Sequence, residues 1–253
     1  PNLTLDGTWN PDFSQVEADA SQLEINNRFA LFFPERRPFF LEGTDIFLTR
    51  FSMPGLDPDF FPPPVNVFYS RRIADPDLGV KLTGKTGRLS VGLLAASDAA
   101  QEYAFEDPVG GLSTAALNPF VGRNAQAGIA RLKLDVLADG YLGAALTGRR
   151  FGDGYGLTAT VDSRFRFGRN TTLRLFATST RAREPDVLGP LRARLRARLP
   201  DSVALAGALD SLPGSAVDLD GETFTGTAEW SDGAFSTVFI AGNTFSTTRN
   251  FAD

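Results

Sequence analysis

The sequence predicts an all-β chain: an antiparallel membrane β-barrel, or part of one, with a Phe/Pro-rich N-terminal segment and a helical loop insertion. Three observations lead there. In residues 155–167, Tyr155, Leu157, Ala159, Val161, Phe165 and Phe167 alternate with Gly156, Thr158, Thr160, Asp162, Arg164 and Arg166, Ser163 being the one exception. That is the two-residue period of a strand with one apolar and one polar face. The run exceeds the usual ~5–6 residues of a globular strand and suffices for the ~9–11 that cross a bilayer on a tilt. Second, Gly, joined by Asp or Asn in the last three, signals tight turns at 85–87, 138–140, 168–170 and 231–233, while the other connections are long at 98–123, modest at 151–154 and very long at 184–221. Outer-membrane barrels show this alternation of short turns with longer outer loops. Third, no run of ~18 apolar residues offers a transmembrane helix, and 25 Gly with 22 Phe in 253 residues favour extended, turn-rich structure.

Taken in order, residues 1–75 are rich in Phe, Pro and acids, with a stiff break at 62–64; they supply either further strands or a segment packed inside or below the barrel. Residues 76–253 hold the strand series. Leu89, Val91 and Leu93 alternate with Ser90 and Gly92. Gly128, Ala130, Leu132, Leu134 and Val136 alternate with Ile129, Arg131, Lys133 and Asp135. Leu142, Ala144 and Leu146 come next, then 155–167, then Leu173 and Leu175 about Arg174, then Phe224, Ala228 and Trp230, and a strand-like run at 234–242. Within 155–167, Leu157, Ala159 and Val161 are assigned to lipid and Thr158, Thr160 and Asp162 to the lumen. The insertion at 184–221 is read as an outer loop. Leu191, Leu195 and Leu199 recur there at helical spacing, and Pro190 stands where a helix start tolerates it.

Composition excludes more chemistry than it suggests. With 0 His and 0 Cys there is no Ser-His-Asp triad, no thiolate nucleophile and no ordinary zinc site. A net charge of −5 argues against nucleic acid as a partner. Only Lys81, Lys85 and Lys133 of the 25 basic residues are lysines, and Arg suits fixed pairs with carboxylates in confined space. The first residue is Pro1 with no charged-then-apolar leader after it, so a mature, trimmed or partial chain is expected.

Four stretches, in order, carry a resemblance: residues 10–19 (NPDFSQVEAD), 32–43 (FFPERRPFFLEG), 68–73 (FYSRRI) and 81–94 (KLTGKTGRLSVGLL). They resemble the barrel-forming domain of unknown function found downstream of a family-9 carbohydrate-binding module in bacterial proteins. The likeness covers residues 1–97 and continues at the level of pattern from 124 to 183, with 184–221 as an insertion. It implies an outer-membrane β-barrel in a Gram-negative envelope, with the carbohydrate-binding domain and further strands lying outside this sequence. It supplies no catalytic residues.

The sites read from the residues are few. Glu35, Arg36, Arg37 and Glu42, set among phenylalanines, form either a ligand-binding patch or, the reading preferred here, a buried ion-pair network that fixes the segment inside the barrel. Asn10, Asp12, Glu17 and Asp19 lack the turn glycine of a Ca²⁺ loop and read as a solvated or paired acidic face. No cofactor and no metal site is expected, and no catalytic motif is found. The function expected is that of a non-enzymatic outer-membrane barrel in transport, export or surface display of carbohydrate-related material. Its partners are outer-membrane lipid and, through the upstream domain, carbohydrate. The alternatives are a carboxylate-dependent glycan-acting enzyme and a soluble β-sheet binding module.

Overall fold

The computed structural model describes residues 2–12, 35–48, 68–73, 75–99, 123–183, 186, 189, 192–193, 196–197, 218–231 and 236–246. Nine strands form one antiparallel sheet in sequence order: β1 (Asn2–Trp9), β2 (Pro76–Thr86), β3 (Leu89–Ala99), β4 (Asn124–Val136), β5 (Gly140–Phe151), β6 (Gly154–Phe167), β7 (Thr171–Arg183), β8 (Asp218–Ser231) and β9 (Ser236–Ser246). Every neighbour pair is a simple meander. The sheet is open: among the described residues β1 and β9 form its two edges.

The turns follow the backbone chemistry. Gly87 and Gly168 adopt the left-handed conformation that the β2–β3 and β6–β7 turns require. The β5–β6 connection, expected to be of modest length, is a two-residue turn in which Gly152 has φ +60. This removes one outer loop from the expected short/long series. The insertion is also shorter than expected. Residues 218–221 belong to β8, where Asp218 pairs with Arg183 and Gly221 with Thr180. Of the rest, Gly189, Arg192, Ala193, Arg196 and Ala197 are helical, Asp186 is described outside any helix or strand, and the other residues of 184–217 lie outside the described ones, as do 100–122 and the expected turn at 232–233.

Within 1–75, the described residues divide between two structures. β1 extends the sheet beside β2. Two short helices, α1 (Pro38–Leu41) and α2 (Thr44–Phe47), and a 3₁₀ turn (Ser70–Arg72) pack on one face of β2–β4. There Phe40, Phe47 and Ile73 form a small core with Leu94, Ala96 and Ile129. The sheet makes room with glycine: a Cβ at Gly92 would lie 2.8 Å from both Ile46 and Phe47, and one at Gly79 3.0 Å from Phe39. Gly43, at φ +70, turns the chain between the helices against Thr83.

The strands are staggered. A row of directly opposed residues begins at the β2–β3 turn with Thr86 and Leu89 and passes through Leu134 and Leu142 to Ser163. It meets β6 four residues short of Phe167, where that strand closes its own hairpin with Thr171. At ordinary strand spacings this is about 13 Å along the strands over about 19 Å across them. If the short turns share one plane, the strands lean by about 35° from its normal, close to the tilt of barrel strands.

Candidate functional site

The two faces of the sheet have opposite chemistry, and in the reverse sense to a water-soluble sheet. The face that carries α1 and α2, here called inner, buries Lys81, Thr83, Asp98, Arg131, Thr160 and Asp162. The outer face exposes Leu5, Leu78, Val80, Leu93, Leu132, Leu134, Leu142, Leu146, Leu157 and Val161. Large aromatics stand toward the strand ends of that outer face, Trp9 (85% exposed) and Tyr155 at one end and Phe167 and Trp230 at the other. Burying charge costs free energy unless it is paired and hydrogen-bonded, so each inner-face charge needs a partner.

Lys81 finds three. Its side chain is fully buried, and Nζ donates to the carbonyls of Phe39 at 2.7 Å and Glu42 at 3.0 Å and lies 3.4 Å from Asp6 Oδ2. The ammonium also stands 5.1 Å from the Phe39 ring. It ties α1 to both β1 and β2. Nearer the long-connection end, Asp98 accepts the Asp75 backbone N–H at 2.7 Å and Arg149 Nη2 at 3.3 Å, while Arg149 donates to the Arg72 carbonyl. Toward the short turns Arg131 grips Asp162 with both guanidinium ends, crossing β5 above Gly143. Lys133 lies 4.5 Å over the Tyr141 ring, and Asp139 joins Arg164 at 2.8 Å and Arg166 at 2.9 Å.

The cluster expected at 35–42 resolves into a tighter pair. Arg37 holds Glu35 through Nε to Oε1 at 2.9 Å and Nη2 to Oε2 at 2.8 Å. It also donates to the carbonyls of Ile73 at 2.5 Å and Ser70 at 3.0 Å, and lies 4.3 Å over Phe40. Ser70 Oγ donates to Glu35 Oε2 at 2.6 Å, so one ion pair ties residues 35–37 to 70–73. Arg36 is exposed and contributes its backbone N–H to Glu35. Glu42 is exposed, and its backbone carbonyl belongs to the separate Lys81 network, where it accepts the ammonium. Asp12 is exposed, Asn10 adopts φ +45, and Glu17 and Asp19 lie outside the described residues.

Burial on its own would push the Glu35 carboxyl up, but the Arg37 and Ser70 hydrogen bonds and the guanidinium charge outweigh it and hold the group at about 2 rather than 4.5. A depressed carboxylate contributes stability that is complete above the unfolded value and is lost as pH falls through the folded one. The docking of residues 35–48 should therefore weaken between pH 4.5 and about 2. Proteolysis of this segment by pepsin across that range should accelerate in the wild type. Glu35→Gln should cut faster at neutral pH, assayed with a neutral protease, and lose the acid dependence; a wild-type rate flat below pH 4.5 would refute the assignment.

The sequence carries no local signal for Lys81 or Asp98, since each is an isolated charge whose partners are backbone groups or residues far along the chain. Arg131 and Asp162 were legible as polar-face residues, but their pairing across an intervening strand was not.

Residues 1–86 match the model of a family described as a domain of unknown function (DUF5916). Among curated proteins and among solved structures nothing matches the chain.

Proposed function

We propose that this sheet is the wall of a membrane-spanning β-barrel in a bacterial outer membrane, non-enzymatic, with residues 35–48 and 70–73 packed on the lumen side. The observation that carries the reading is the inversion of the two faces: charges buried inside, leucine, valine and aromatics exposed outside. In water such an outer face is an aggregation hazard; against hydrocarbon it is the stable arrangement. On β6 the outward residues from Tyr155 to Phe165 span about 33 Å of strand, or about 27 Å along the normal at the tilt above, which suits an apolar band about 25 Å tall. Closure of the barrel brings the β1 and β9 edges to partners, either each other or further strands. The ends with short turns face the periplasm and the long connections the exterior.

The role proposed is transport, export or display, with carbohydrate-related cargo favoured by the resemblance of residues 10–94. A buried inner face braced by ion pairs makes a wall and a plug. Expressed as the whole protein in a Gram-negative host, it should fractionate with the outer membrane, require detergent, and migrate differently on gels before and after boiling. A monodisperse, detergent-free protein with full β content would end this reading and favour the soluble binding module.

A further inference from the structure

The outer face carries a trough between two rows of side chains. Leu78, Ser97, Gln126, Arg150 and Tyr155 form the row nearer the long connections, and Val80, Ala95, Gly128, Gly148 and Leu157 the other. These residues border a hollow of about 590 Å³ running across β2 to β6. Across so many strands it is about 20 Å long at ordinary interstrand spacing, the length of an extended acyl chain.

The trough is sloped, and the slope has a sign. On the outer face the first charged residue met toward the long connections is Arg150 on β5, Arg181 one row lower on β7, and Glu222 two rows lower on β8. This staircase runs the same way as that of the hairpin ends. Along any one row the β6–β7 side therefore stands nearer the water boundary and the β2 side deeper in the apolar band. The trough descends from Arg150 and Tyr155 to Leu78 and Val80. At its upper end Tyr155 lies directly between Arg150 and Arg183, and Arg181 lies directly across from Leu157. Asp218 stands 3.8 Å from Arg183, and Asp220 faces Arg181 from β8. Arg150 and Arg181 are exposed and carry no ion pair among the described residues.

We infer that this trough is a binding site for a phosphorylated lipid of the outer leaflet, with one acyl chain lying along it and the phosphate held by Arg150 and Arg181 beside Tyr155. The inference rests on the membrane reading above, which supplies both the hydrocarbon and the orientation. Arginine is suited to the headgroup because its planar fork binds phosphate with two parallel hydrogen bonds.

The test uses the full chain folded in detergent micelles and presented with diphosphoryl lipid A, with the same lipid stripped of its phosphates, or with inorganic phosphate. Retained lipid is counted by native mass spectrometry, and insertion is scored in the same samples by heat-dependent gel mobility. The wild type should retain the phosphorylated lipid at least tenfold more strongly than the dephosphorylated one. The double variant R150Q/R181Q should lose that preference. Gly148→Phe should weaken both lipids at least tenfold by filling the trough; the position has room, since a Cβ there meets only ordinary contacts at 3.6 Å and beyond. Inserted protein that holds all forms equally, or that loses nothing in either variant, overturns the lipid site alone. Inorganic phosphate competing as well as the lipid would make this a simple anion site and overturn it too. A chain that never inserts overturns the membrane reading and this site together.

Discussion

Val161→Arg should destabilise the folded protein in lipid vesicles by about 2–4 kcal/mol, the cost of a lipid-facing cation near mid-depth. Val161 is 58% exposed on the outer face, in the row that contains Ala144, Ala177 and Phe224. If that face met water, an exposed valine replaced by arginine would change stability by no more than about 0.5 kcal/mol. The two readings therefore differ several-fold on one substitution. Thr158→Arg is the inner-face comparison. Thr158 is half-buried, and its Oγ1 lies 3.2 Å from that of Thr180, so the change removes one hydrogen bond worth about 1 kcal/mol. Thr160, at 2% exposure beside Ala145 and Thr178, leaves no space for a larger side chain and would confuse the comparison. Reversible urea unfolding in vesicles measures both. A Val161→Arg penalty no larger than that of Thr158→Arg would mean that the outer face of β6 does not meet hydrocarbon.

The strands were legible where one face met a single environment. Residues 155–167 alternate cleanly because the inner side of β6 is polar along its length and the outer side almost wholly apolar. The alternation of β3 fails after Leu93, where Leu94 and Ala96 are apolar on the inner face. Those two residues, with Ile129, lie beneath Phe40 and Phe47, so that part of the sheet is apolar on both sides and its period disappears. No local pattern announces such a patch, because its cause lies about 50 residues earlier in the chain. β1 was hidden for a related reason. Its Leu3 and Leu5 alternate with Thr4 and Asp6 over too few residues to stand out, and its register comes from pairing with β2 across a long connection. At the candidate site the charges of 35–42 could be seen as a cluster, but the choice of Glu35–Arg37 over Glu42 was set by Ser70 and Ile73, which sit more than 30 residues away.

Asp162→Asn should cost about 3–5 kcal/mol, because it strands a buried guanidinium. Arg131 is 1% exposed, its Nη2 lies 2.8 Å from Asp162 Oδ2, and its Nε has no acceptor among the described residues, so no second anion there can take over the charge. Replacing both partners by Arg131→Met and Asp162→Leu should recover most of that loss, since well-packed apolar residues avoid desolvating two ions. Gly143 limits the space beneath the same pair. It lies beneath the pair on β5, and a Cβ there would sit 2.6 Å from both Arg131 Nη2 and Asp162 Oδ1. Gly143→Ala must therefore push the pair apart, at about 1–3 kcal/mol, the ordinary cost of overpacking. In the Arg131→Met/Asp162→Leu background the same alanine should cost much less, because no fixed charged pair remains for it to displace. Urea midpoints of the wild type and the four variants in vesicles measure these losses. A loss below about 1 kcal/mol for Asp162→Asn would mean that water reaches the pair, and the inner wall at this level would then be a wet channel lining rather than a braced, dry support.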